Sequence, residues 1–234
     1  MTNATPAAQE PAVSPSVARA EAARYALLRR LAPSMRHHLV VNLQPIGMIY
    51  EVMDRRLRAP TPDLASVHDS AHKINGFARA ALDSCLDVVT WLAPDQTATT
   101  PVSDGVRECV GLLATSLGFR GYAIRNEVGD LPGAVSRASL RNVLTSSLVH
   151  LTDQHPPPAD VVLTASAEAQ GLRVTLMLRP TDGSQGFANE AGYRKLEWGD
   201  VQALADAESI QVQRDGQALR MVVPWTTPRA RDAG

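Results

Sequence analysis

Apolar residues recur every three or four positions along two long stretches in the N-terminal half of the chain. In the second stretch, residues 63–92, the spacing alternates between three and four without interruption. This pattern predicts a helix that packs against another helix in a bundle or coiled coil. The positions of the predicted seam are Leu64, Val67, Ala71, Ile74, Ala78, Ala81, Cys85, Val88 and Leu92.

The first stretch, residues 17–58, predicts another long helix with a looser apolar stripe, and prolines at 60 and 62 end it. The stripe consists of Leu28, Leu31, Met35, Leu39, Leu43, Ile46, Ile49, Met53 and Leu57. Two antiparallel helices joined by a short loop leave part of each stripe uncovered. We therefore expect two such hairpins to pair as a homodimeric four-helix bundle. In the alternative, the hairpin packs on the rest of its own chain as a monomer.

The C-terminal half mixes helical and alternating patterns. Helices are predicted at 104–117, 136–152 and 196–207, and strands at 122–128, 161–167, 172–178, 210–214 and 218–223. Glycine-containing turns at 170–171 and 215–216 indicate two hairpins. The order predicts an α+β fold, with helices on one face of a sheet. We divide the chain into a disordered tail at 1–16, a hairpin at 17–93, a second domain at 101–226 and a tail at 227–234.

Composition narrows the function classes. Apolar residues make up 44% of the 234 residues but aromatics only 4%, so aliphatic side chains and alanine must fill the core. The net charge of −1 removes the usual electrostatic reason to expect a nucleic-acid partner. The chain contains no apolar run of the roughly 20 residues that cross a membrane, and no signal-peptide pattern. We therefore expect a cytoplasmic protein with neither a nucleic-acid nor a membrane partner.

His37 is the candidate residue for chemistry on the first helix. At about 100° per residue it lies about 180° from Leu28, opposite the apolar stripe, whereas His38 lies about 80° from the stripe. An exposed neutral imidazole can act as a nucleophile. An exposed histidine on a helix is, however, most often an ordinary surface residue, so this geometry alone assigns no role.

Residues 36–43 resemble the phosphoacceptor box of sensor histidine kinases. In that box a histidine is followed by an acidic or amide residue, and a leucine stands six positions after the histidine. His37 and Leu43 match this spacing, whereas His38 replaces the acidic neighbour. In the family that neighbour helps to activate the histidine toward ATP. The resemblance therefore implies exchange with an aspartyl phosphate more than autokinase chemistry.

Residues 102–225 are similar to the ATP-binding domain of the same kinases in the order of their elements. The helix at 140–151 looks like the one that supplies an asparagine to magnesium, and His150 stands at the matching place. The turn at 182–186 reads Asp-Gly-x-x-Gly where the family has Asp-x-Gly-x-Gly, and Gly192 and Gly199 form no Gly-x-Gly lid. The resemblance implies a degenerate kinase-type α/β sandwich without bound ATP, cofactor or metal.

The whole pattern resembles the bacterial histidine phosphotransferases with a kinase-like architecture. The resemblance implies a phosphotransferase-type carrier, without ATP-dependent kinase activity, that relays phosphoryl groups between response-regulator receiver domains, including that of a hybrid histidine kinase. His37 would be the phosphoacceptor, Arg36, His38 and Asn42 would shape the docking surface, and the receiver would hold Mg²⁺. Two alternatives stay open: a catalytically inactive kinase-like scaffold that binds a receiver or kinase, and an atypical active histidine kinase.

Overall fold

A computed structural model describes residues 14–183, 186–187 and 193–226. Residues 1–13 of the predicted N-terminal tail and the predicted tail at 227–234 lie outside the described residues. Helix α1 spans Pro15–Leu57 and helix α2 spans Leu64–Leu92. The side chains of Ser14 and Asp63 accept hydrogen bonds from amides of the first turns of α1 and α2, which stabilises both helix starts. Helix α1 therefore begins two residues before the prediction.

The remaining elements mix helices and strands, as predicted, apart from two strands of three residues each. They are β1 (Thr99–Pro101), α3 (Val102–Phe119), β2 (Tyr122–Asn126), β3 (Ala134–Ser136), α4 (Arg137–Gln154), β4 (Ala159–Ala167), β5 (Gly171–Pro180), α5 (Trp198–Ala207), β6 (Gln211–Asp215) and β7 (Ala218–Pro224). The main sheet has the order β2-β4-β5-β7-β6, in which only the β2–β4 pair is parallel. The short antiparallel pair β1–β3 was not predicted, because three residues carry no periodic signal.

Helix α4 lies at the centre of the second domain. It contacts α1, α3 and α5 as well as β7, and all residues from 140 to 153 are buried. Polar side chains on this helix must therefore find partners within the protein. In the part of the chain that the structure describes, no helix combines the length and hydropathy of a membrane span.

The hairpin is joined to the second domain over half of its length. The N-terminal half of α1 packs against α3, α4 and α5, and the buried residues of α1 all lie between Ala20 and Met35. This half of α1 therefore packs on the rest of its own chain, as in the alternative to the dimer. The C-terminal half of α1 packs along α2 and leaves large apolar side chains exposed.

Only every second position of the predicted α2 seam faces α1. Leu64, Ala71, Ala78, Cys85 and Leu92 are exposed. The inward face combines the other four seam positions with buried or half-buried Ser70, Phe77, Ser84 and Trp91. The sequence pattern missed this face because its two serines interrupt the apolar spacing. The exposed positions form a second stripe on the flank of the hairpin.

Candidate functional site

Helix α1 carries His37 on its accessible side. The helix continues through Pro33 and Pro45 without interruption, so the angular relations expected for a helix hold at this point. His37 is exposed and His38 is half-buried. The exposure of the two rings therefore agrees with the helical geometry read from the sequence.

A cavity of about 330 Å³ opens beside His37, between α1 and α3. From α1 it is lined by Pro33, Ser34, Arg36, His37, His38 and Val40, and from α3 by Leu112, Thr115, Ser116 and Phe119. Sequence reasoning did not find this cavity, because α3 comes about seventy residues later in the chain and no local pattern links it to His37.

The other predicted site residues separate into two groups. Arg36 is exposed beside His37 and lines the same cavity. The side chain of Asn42 instead faces α2, where Nδ2 donates a hydrogen bond to Ser84 Oγ at 3.1 Å, and it also donates to the carbonyl of His38 at 3.2 Å. His38 also lines a second cavity, of about 240 Å³, on the α2 side. The docking roles of these three residues stay predictions.

His150 lies inside the second domain. Its Nδ1 is 2.9 Å from the carbonyl oxygen of Leu196, and its Nε2 is 3.3 Å from Arg214 Nη1. Because a carbonyl can only accept, Nδ1 carries the hydrogen and Nε2 accepts from the guanidinium. Burial lowers the pKa of His150, and the charge of Arg214 lowers it further. The ring is therefore held as one neutral tautomer.

Asn142, on the same helix, is also engaged by the protein. Its Nδ2 donates to Glu208 Oε1 at 2.8 Å, and Glu208 accepts from Arg24 Nη2 at 3.0 Å and from Ser139 Oγ at 2.8 Å. Glu208 follows α5, where nothing in the local sequence marks a buried carboxylate, so sequence reasoning missed it. The carboxylate joins α1 to α4.

A second buried carboxylate makes a parallel connection near the end of α4. Asp153 accepts from Arg30 Nη2 at 2.6 Å, from Arg120 Nη2 at 3.0 Å and from the Leu196 amide at 3.1 Å. Arg30 belongs to α1, so this contact also ties the hairpin to the second domain. Among the described residues, no group of three or more histidine, cysteine or carboxylate side chains could hold a metal ion.

No protein-family model matches the chain, and no curated protein matches it. Similar solved structures do exist. A histidine kinase from Burkholderia phymatum STM815 is 18% identical, with 92% of this chain and 100% of that chain covered and a TM-score of 0.42. A bacterial phosphotransferase is 11% identical, with 90% and 98% covered and a TM-score of 0.41.

The histidine kinase ThkA in complex with the response regulator protein TrrA is also similar. It is 13% identical, with 94% of this chain and 70% of that chain covered and a TM-score of 0.41. At these identities and TM-scores, similarity assigns no activity to this chain. A function of this chain has to be inferred from its own residues.

Proposed function

We propose that the protein is a histidine phosphotransfer protein that relays phosphoryl groups between receiver domains of a two-component phosphorelay. The observation that carries the proposal is the exposed ring of His37 on α1, within a run that resembles a phosphoacceptor box. The neutral imidazole attacks the phosphorus of a receiver's aspartyl phosphate. A nitrogen–phosphorus bond forms, the phosphorus–oxygen bond to the carboxylate breaks, and the proton stays on the other ring nitrogen.

The face of α1 that bears His37 suits a docked receiver. Val41 and Met48 lie at about 40° and about 20° from His37 around the helix, and both are exposed. A receiver seated over His37 would cover this apolar surface, which water otherwise contacts. Its own carboxylates would hold Mg²⁺ and neutralise charge on the phosphoryl group, so α1 has only to present the imidazole at a fixed angle.

The flank of α2 suits a second copy of the chain. Ala78, Leu82, Leu86 and Val89 are exposed along one side of the helix, and the other three lie within about 40° of Leu82 around the helix axis. A continuous apolar stripe on a helix is typical of a packed interface. Pairing of two hairpins through this stripe would give the homodimeric four-helix bundle, and it would leave the His37 face of α1 for the receiver.

The arrangement of α4 supports a carrier more than an ATP-dependent kinase. A nucleotide would need polar groups of this helix free for its phosphates and magnesium. Asn142 is bonded to Glu208, and His150 is bonded to Leu196 and Arg214. Binding of a nucleotide or metal by these side chains would therefore have to break contacts that hold α4 to its neighbours within the second domain.

A scaffold that binds a receiver without carrying phosphate is the second candidate. Within the described residues no hydrogen bond orients the His37 ring, which favours this candidate. The centroid of the neighbouring His38 ring lies 6.4 Å from that of His37. The two candidates share the docking surface and differ in the chemistry of His37.

Phosphotransfer to single variants tests the proposal. Receivers carrying radiolabelled phosphate are mixed with the wild type, His37→Ala and His38→Ala. We expect label on the wild type and on His38→Ala, and none on His37→Ala, because only the exposed ring is reachable in line. Label on His37→Ala would assign the phosphate to another residue. Receiver binding without label on any of the three proteins would establish the scaffold.

A further inference from the structure

The cavity beside His37 has the walls of a small-molecule site. Its volume of about 330 Å³ lies within the range of about 300–1,000 Å³ that is usual for such sites. Val40 and buried Leu112 form apolar walls, and Phe119 stands exposed at the rim. An occupant with a flat aromatic or a compact aliphatic body would therefore displace water from apolar surface.

One residue in the wall of this cavity carries a buried hydroxyl without a partner. Ser34 lines the cavity and is only 6% exposed, and its Oγ has no hydrogen-bond partner among the described residues. Buried polar groups in proteins are usually paired, because an unpaired one has lost water without compensation. Rotation of the Ser34 side chain toward the cavity would let an occupant with a hydroxyl or another acceptor at its inner end supply that missing partner.

The charge around the cavity favours an anionic group at the other end of the occupant. Arg36 lines it and is exposed, and no acidic residue is among the ten that line it. The acidic side chains of α2, Asp83 and Asp87, instead line the neighbouring cavity beside His38. An anionic group at the rim would therefore be attracted.

We propose that this cavity binds a small amphipathic anion with an apolar body, an acceptor or hydroxyl group that reaches Ser34, and an anionic group near Arg36. A bound anion lies against His37 and hinders the approach of a phosphoryl donor, so the ligand regulates transfer. This regulatory effect rests on the proposed phosphotransfer function, whereas the binding itself does not.

Three related probes test separately the contributions of the hydroxyl and of the anionic group to binding. 6-Hydroxy-2-naphthoate carries both polar ends, 2-naphthoate lacks the hydroxyl, and 6-hydroxy-2-naphthamide lacks the charge. Titration calorimetry with the full chain should give one saturable site for the first probe and about tenfold weaker binding for each of the others, as loss of one buried or charged hydrogen bond implies. Absence of saturable binding by the first probe would overturn the proposal.

Matched variants test whether the probe binds in this cavity. Thr115→Trp fills the cavity from α3 and should abolish binding, whereas Ala114→Trp, on the neighbouring exposed position outside the lining, should leave it unchanged. Ser34→Ala should weaken 6-hydroxy-2-naphthoate about tenfold and leave 2-naphthoate unaffected. Equal binding by Thr115→Trp and the wild type would refute the site. Loss of receiver binding in Thr115→Trp, together with no probe binding by the wild type, would assign the cavity to the receiver instead.

The regulatory effect has its own readout. Saturating 6-hydroxy-2-naphthoate should slow phosphotransfer to the wild type at least tenfold, and it should leave the rate of Thr115→Trp unchanged. An unchanged wild-type rate at saturation would refute the regulation. If the wild type binds the probe but takes no phosphate from receivers, the ligand site is supported and the proposed function fails.

Discussion

Replacing Asp153 tests how the hairpin is held on the second domain. Its side chain is 1% exposed, and that of its partner Arg30 is 8% exposed. Asp153→Asn keeps the shape and removes the charge, so Arg30 and Arg120 lose their shared counterion while staying largely buried. The new amide nitrogen would also face guanidinium donors, which cannot accept a hydrogen bond.

The size of the effect follows from this burial. Removal of one partner from a buried ion pair costs about 3–5 kcal/mol. Arg120 retains 14% exposure, so water can partly compensate its charge, and we expect a loss of about 3 kcal/mol. For a chain of this length each kcal/mol lowers the melting temperature by roughly 2–4 °C, so the midpoint should fall by roughly 6–12 °C.

Urea and thermal unfolding, followed by far-ultraviolet circular dichroism, measure the loss. The control is Asp104→Asn, which breaks a 2.7 Å ion pair with Arg107 between exposed side chains. It should lower the midpoint by less than about 4 °C, because exposed pairs contribute about 0–1 kcal/mol. If the unfolding midpoint of Asp153→Asn equals that of this control, the carboxylate does not hold α1 on the second domain, and the reasoning from burial is wrong.

Three other predictions test the oligomer, the nucleotide and the pH dependence. Leu86→Glu should convert a dimer to a monomer in light scattering, whereas His72→Glu, an equal charge change on a polar exposed position, should not; a monomeric wild type would contradict the dimer. Titration of the protein with magnesium and ATP should give no binding heat, and a micromolar Kd would revive the kinase alternative. The wild type should lose stability as pH falls below the ordinary histidine pKa of 6.5. Burial lowers the pKa of His150 in the folded protein, so in this pH range the unfolded chain binds a proton at His150 that the folded chain does not bind, and protonation favours unfolding. His150→Gln should show a shallower loss in urea unfolding between about pH 7.5 and about pH 5, and identical slopes would contradict the buried neutral ring.

Local patterns determined the elements and the exposure of His37. The predicted second helix at 63–92 agrees with α2 at Leu64–Leu92, because hydrophobic periodicity and flanking prolines act within a few turns of chain. The angle between His37 and the apolar stripe is likewise fixed by helical geometry alone. The order of helices and strands in the second domain followed from the same local signals.

Only the tertiary structure decided which distant residues meet. Arg24 and Glu208 are 184 positions apart, and Arg30 and Asp153 are 123 apart, so no periodic pattern could pair them. The cavity between α1 and α3 and the exposure of every second position of the α2 seam likewise depend on contacts between elements that are distant in the sequence. Which face of a helix is buried depends on the elements that pack against it, and the serines of the inner α2 face show that this packing can override the apolar pattern.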